Sequence, residues 1–163
     1  MKTTFDINDI LYSIINVSAV KNTIDGGVYR NKKPLNSEAQ DIVILPLSNY
    51  VGSEIINEAT FMINCFCKNF VNGSPNIVRL KATVNAVISE IEKIAANLFY
   101  LPASEALINY KNIIEAEQSY KPVKTYNTSN YYIFDIVNQI LLNDSDQVSM
   151  SYINLRMNCL IEK

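Results

Sequence analysis

Apolar and polar side chains alternate along residues 58–69. Phe61, Ile63, Cys65 and Cys67 fall on one side, and Thr60, Met62, Asn64, Phe66 and Lys68 on the other. A two-residue period over this length predicts a strand. Its second face is mixed, so part of that face is expected to be covered as well. The closing stretch behaves the same way. Ile153, Leu155, Met157, Cys159 and Ile161 oppose Asn154, Arg156, Asn158 and Glu162, and only Leu160 breaks the alternation. Residues 41–47 are instead an almost unbroken apolar run, the pattern of a strand covered on both faces, with Pro46 placing its end at an edge or a bulge. Val28-Tyr29-Arg30 reads as a short strand between Asp25-Gly26-Gly27 and the loop Asn31-Lys32-Lys33-Pro34. The two glycines are expected to supply positive φ for a tight reversal.

Helical spacing marks two other segments. Ile7, Ile10, Leu11, Ile14, Ile15 and Val20 recur at three- and four-residue intervals, predicting one helix over 6–20 with Asp6 as its N-cap. Ser74 as N-cap and Pro75 at the first helical position predict a longer helix running to about Phe99. Its buried stripe is expected to be Ile77, Leu80, Val84, Val87, Ile88, Ile91, Ile94, Ala95 and Leu98, with Glu90 and Glu92 lying off it.

Residues 101–142 are less regular. Ser104 could cap a short helix through Tyr110. Residues 111–124 fit a strand or a helix to Ser119, and Pro122 stops either. Thr125–Tyr132, rich in Tyr, Asn, Ser and Thr, reads as an exposed loop. Phe134, Val137, Ile140 and Leu141 predict a further turn or two of helix before the break at Asn143-Asp144-Ser145-Asp146. The sum is an α+β fold: a mainly antiparallel sheet with two or three helices packed on one face, one of them long and central. No repeat or linker divides the chain, so residues 1–163 are read as a single domain.

Composition narrows the chemistry. Of 163 residues, 48% are hydrophobic and 18% charged, enough apolar content for a real core. The net charge of −2 gives no general case for nucleic-acid binding. No apolar run approaches the roughly 20 residues of a membrane span, and the N-terminus turns polar too early for a signal peptide. The chain has no His, which removes the commonest general base and metal ligand. Cys65, Cys67 and Cys159 lack the spacing of a zinc or redox pair and read as buried, reduced thiols in a cytosolic setting. Glu115 and Glu117 read as a solvated face. Asp144 and Asp146 lack the glycine and closing glutamate of a calcium loop, and so read as loop caps. Nucleotide, dinucleotide and acyl-transfer signatures are missing. Neither a catalytic group nor a cofactor or metal is expected.

Two groups stand out as contact candidates. One is the basic loop with Arg30, Lys32 and Lys33. The other is the polar stretch with Tyr120, Lys121, Lys124, Tyr126, Tyr131 and Tyr132, since tyrosine gives rigid amphipathic contact area. Each also fits an ordinary solvated loop. A small cytosolic enzyme or accessory subunit using Lys, Tyr and carboxylates stays open, as does a monomeric adaptor pairing a peptide along a sheet edge.

The succession "IDGGVYRNKKP", "DIVILPLSN", "EATFMINCFCKNF" and "NIVRLKATVNAVISEI" resembles the tail-completion or tail-terminator proteins of bacteriophages. Gly26, Gly27, Val28, Tyr29, Pro34, Asn64 and Arg79-Leu80 carry the likeness, and "SYINLRMNCLIE" is similar to that family's last strand. It covers residues 6–98 and, loosely, 148–162, leaving 101–146 as a variable insertion. The resemblance implies a virion protein of the neck, assembled in the host cytoplasm. It implies a homo-oligomeric ring, six- or twelve-fold, contacting portal, adaptor or tail proteins, with DNA passing through unread and no membrane involved. Loops 30–34 and 120–132 would then supply contacts.

Overall fold

The computed structural model describes residues 4–51, 56–95, 100–102 and 129–162. The chain runs α1 (Thr4–Ile15), α2 (Ser18–Lys21), β1 (Val28–Arg30), β2 (Ile42–Val51), β3 (Ile56–Lys68), α3 (Ile77–Ala95), β4 (Tyr100–Pro102), β5 (Ser129–Asn143) and β6 (Met150–Glu162). The strands form one sheet in the order β1-β2-β3-β6-β5-β4. Among the described strands only β1–β2 is parallel, and every other pairing is antiparallel. The expected α+β class and mainly antiparallel sheet are therefore observed.

The helices lie on one face, where alternation delivers the apolar side chains. Ile42 and Ile44 of β2, Phe61, Ile63 and Cys65 of β3, and Leu155, Met157 and Cys159 of β6 meet Ile7, Leu11, Ile14 and Ile15 of α1 and Val84, Val87 and Ile91 of α3. A smaller cluster of Val43, Phe66 and Met150, with Tyr29, Leu45 and Tyr152 against it, lies on the opposite face. The apolar run of β2 thus serves two cores. The mixed face of β3 is half covered, as its composition suggested. Further along that face the strands are joined by amides: Asn154 Nδ2 donates to Asn64 Oδ1 at 2.6 Å, and Thr60 Oγ1 to Asn158 Oδ1 at 3.2 Å.

Several boundaries differ from expectation. The single helix over 6–20 is two helices, because Val17 is extended (φ −112°, ψ 160°). Asp6 lies inside the first turn of α1 instead of capping it. The N-cap of α3 is Asn76, whose Oδ1 accepts from the Arg79 amide at 3.2 Å, so Ser74 and Pro75 belong to the preceding turn. Ile77 opens the helix ahead of the sheet and is 46% exposed. Glu90 is 1% exposed. It sits three residues past Val87 and seven past the buried Thr83, so helical geometry puts it on the inner face despite its charge.

The largest correction is β5. Residues 129–143 are strand, where 125–132 read as loop and 131–142 as helix. Its register against β6 slips between Ile136 and Asn138, leaving Val137 as a bulge. The β2–β3 register slips likewise between Pro46 and Ser48, beyond the last β1 pair, so Pro46 does sit beside a bulge, but β2 does not end there and runs on to Val51. The helix expected over 104–110 and the alternatives for 111–124 fall outside the described residues.

Candidate functional site

The Asp25-Gly26-Gly27 turn is a brace, and not for the reason the sequence offered. Neither glycine has positive φ; among the described glycines only Gly73 does (φ 81°). Gly26 is needed for close approach, because a Cβ there would lie 2.0 Å from Asp41 Oδ1. Asp41 is fully buried. Its carboxylate accepts from the Gly27 amide at 2.9 Å and from the Ser37 hydroxyl. Asp25 accepts from the Gln40 amide at 2.7 Å and from Arg79 Nη2 at 2.9 Å. The Gln40 amide bond, then the Arg79 guanidinium, hold the Asp25 carboxyl below its ordinary value of 3.8. The buried Gln40 side chain donates to Thr83 Oγ1 and to the Arg79 carbonyl of α3, and Thr83 Oγ1 donates to the Thr23 carbonyl. The turn, the start of β2 and α3 are thereby locked together.

From this brace the chain enters the basic loop, and its three cations part company. Arg30 turns toward α1: Nε pairs with Asp9 at 3.0 Å and the guanidinium lies 4.2 Å over the Tyr12 ring. Lys33 turns to the other face of the sheet. Its Nζ meets Asp144 Oδ2 at 3.1 Å and Gln147 Oε1 at 2.9 Å, 4.3 Å above the Phe66 ring. The paired side chains retain only 14% and 9% of their exposure. Asp144 also caps its own turn, accepting from the Asp146 amide, as the loop-cap reading held. Lys32, also exposed, has no ion-pair partner among the described residues. The loop's bends use Asn31 (φ 67°) and Asn36 (φ 58°), residues that tolerate the left-handed region.

This loop and the β5–β6 turn border an open cavity of about 310 Å³ on the sheet face opposite the helices. Val43, Leu45 and Phe66 floor it; Asn64, the Lys33–Asp144 pair, Lys32 and Asp146 line its polar side; Leu35 stands at its mouth. Lys33 is committed to holding its walls together. Sequence reasoning missed Asp144 and Gln147 as its partners and Gln40, Asp41 and Thr83 as a network. The one available signal was the polar pair Gln40-Asp41 set against the apolar run of β2.

Of the other contact candidates, two fall within the described residues. Tyr131 and Tyr132 are strand residues, in register with Tyr100 and Ile161 respectively. Tyr120, Lys121, Lys124 and Tyr126 lie outside the described residues. Cys65, Cys67 and Cys159 are buried and unbridged, as expected. Burial pushes the Cys65 thiol up to about 12 and raises Cys67 and Cys159 as well, so none is poised as a thiolate. Among the described residues no group of three His, Cys, Asp or Glu could hold a metal, and no helix is long and apolar enough to cross a membrane.

No family model matches the chain, and no curated protein does. Among solved structures, it is similar to a chain in the virion of a native gene transfer agent particle. That similarity has a TM-score of 0.50 at 12% identity, covering 94% of this chain and 92% of that one. At this identity the likeness is one of fold.

Proposed function

We propose that this chain is a structural protein of a phage-like virion, a ring subunit at the neck through which DNA passes between head and tail without being read. The observation that carries it is the extent of the fold likeness. Nearly all of this chain matches nearly all of a chain from a virion, so the likeness is to a whole subunit. The tail-completion resemblance over residues 6–98 points the same way.

In this reading the 30–34 loop is a contact element whose shape is set by Arg30 and Lys33, leaving Lys32 to face a neighbour. Tyr120, Lys121, Lys124, Tyr126, Tyr131 and Tyr132 are proposed for the second contact region. A ring contact is heterologous, one surface of each subunit meeting a different surface of the next. Native mass spectrometry and negative-stain microscopy of the purified protein, alone and with portal and tail components, test the proposal. Closed rings, or recruitment onto a partner ring, are expected. A protein that stays monomeric and joins neither component refutes it.

A further inference from the structure

On the side away from β6, β5 is paired only at its start. β4 meets residues 129–131 there, and no described strand lies beside Tyr132–Asn143. Two hydrogen bonds fix which main-chain groups of this edge point outward. The Asp144 amide donates to the Met150 carbonyl at 3.0 Å, and on the far side of β6 the Asn69 amide donates to the Ser149 carbonyl at 2.8 Å. Antiparallel pairs alternate between bonded and non-bonded. Ile140 and Leu142 therefore bond β6, while Gln139, Leu141 and Asn143 turn their amides and carbonyls away from it. The Gln139 amide accordingly donates to the neighbouring Asn138 Oδ1 at 2.7 Å.

Such an edge is ordinarily guarded by charge, proline or a bulge. Past the Val137 bulge this one is not, since residues 138–143 carry neither charge nor proline. Ile140 and Leu142 on one face and Leu141 on the other are each 40–44% exposed. The opposite side of the sheet is guarded: β1 has three residues, and β2 beyond it carries Pro46 and the bulge at Leu47. What the β5 edge does match is itself. Residues 139–143 read Gln-Ile-Leu-Leu-Asn, an apolar centre between two amides, the same pattern from either end. An antiparallel copy centred on Leu141 sets Leu141 against Leu141, Ile140 against Leu142 and Gln139 against Asn143. In that register the outward main-chain groups of 139, 141 and 143 are the ones that bond, apolar side chains meet apolar and no like charges oppose. Moving the centre to Ile140 or Leu142 would set Leu141 against Gln139 or Asn143, so pattern and backbone phase select one arrangement.

We propose that two copies of this chain join their sheets across β5, antiparallel about a two-fold axis at Leu141. The contact is isologous and closes on itself, so it is separate from any ring contact and does not rest on the ring reading.

Sedimentation and native mass spectrometry of the full chain over a dilution series test the contact. A dimer is expected. Leu141→Lys, which puts two ammonium groups face to face, should weaken it by about tenfold or more while the urea midpoint stays near that of wild type. Separately made Ile140→Cys and Leu142→Cys chains, mixed and oxidised, should form an inter-chain disulfide, because the register sets those positions opposite each other. Either chain alone should cross-link far less, the native thiols being buried. In amide hydrogen exchange, Leu141 and Asn143 should slow as concentration rises, and Ile140 and Leu142, already bonded to β6, should change less. A chain that stays monomeric throughout the series refutes the proposal. So does protection of Leu141 and Asn143 that dilution leaves unchanged, the sign of an edge covered by its own chain. A cross-link from Ile140→Cys to a portal or tail component in place of a second copy refutes it too. Rings that form without the mixed-chain disulfide and are indifferent to Leu141→Lys refute the two-fold contact alone. Dimers that never join portal or tail components uphold it and remove the ring reading.

Discussion

Replacing Gly26 by alanine tests whether the turn before β1 is a hinge or a brace. The new Cβ would fall 2.0 Å from Asp41 Oδ1 and 2.8 Å from the Gln40 carbonyl oxygen. The carboxylate cannot swing aside without leaving the Gly27 amide and the Ser37 hydroxyl, and it is buried where water cannot replace them. The carbonyl cannot retreat without stretching its 3.2 Å bond from the Gly26 amide. Hydrogen bonds to a charged group are worth about 1.5–3 kcal/mol each, and overpacking costs about 1–3 kcal/mol. Because relaxation shares these costs, the expected loss is about 3–5 kcal/mol, a fall in Tm of roughly 6–20 °C for a chain of this size.

Gly27→Ala is the control. Its Cβ would meet the ring end of Tyr29 at 2.8 Å, the far end of a side chain that can move. Restricting the unfolded chain offsets part of the cost, so the loss should stay under about 1 kcal/mol. Urea unfolding with the m-value checked for constancy measures both. Asp41→Ala added to Gly26→Ala should cost much less than Asp41→Ala alone, since the two act on one contact. If Gly26→Ala lies within about 1 kcal/mol of wild type, or matches Gly27→Ala, the brace is wrong.

Other perturbations separate neighbours that the sequence groups together. Lys33→Ala should cost about 2 kcal/mol in urea unfolding, because it strands the nearly buried Asp144. Arg30→Ala breaks an exposed pair and a ring contact and should cost under about 1 kcal/mol; equal losses would contradict the structure. Asn76→Ala should cost about 1 kcal/mol by thermal unfolding and Ser74→Ala almost nothing, an order that reverses if Ser74 is the cap. Asp25 has a folded pKa below its unfolded 3.8, so its stabilising effect is complete above that pH and is lost as pH falls through the lower folded value. An acid titration of stability should therefore be shallower below about pH 4 for Asp25→Asn than for wild type.

Most of the strands were legible because alternation at two-residue spacing is a direct image of a sheet with one buried face. β3 and β6 show it plainly. β5 did not, for an identifiable reason. The Val137 bulge inserts one residue, so the apolar positions before and after it fall out of phase and mimic the three- and four-residue steps of a helix. Exposed Ile140, Leu141 and Leu142, on both faces of the strand, blurred the pattern further. The Ser74-Pro75 signal was misleading because the turn uses Ser74's backbone, leaving the cap to Asn76. At the candidate site, the loop was visible but its inner wiring was not. Lys33 finds Asp144 across 111 residues of sequence, and no local pattern announces such a pairing.

β6, the last strand in chain order, occupies the middle of the sheet, with β3 on one side and β5 on the other. As the polypeptide leaves the ribosome, β3 and β5 must wait, each with an unfilled row of amides and carbonyls, until those closing residues arrive. Folding of the sheet is thus gated by the arrival of β6, and the interval before it is when an unfinished copy is most open to capture by a chaperone or by another nascent chain.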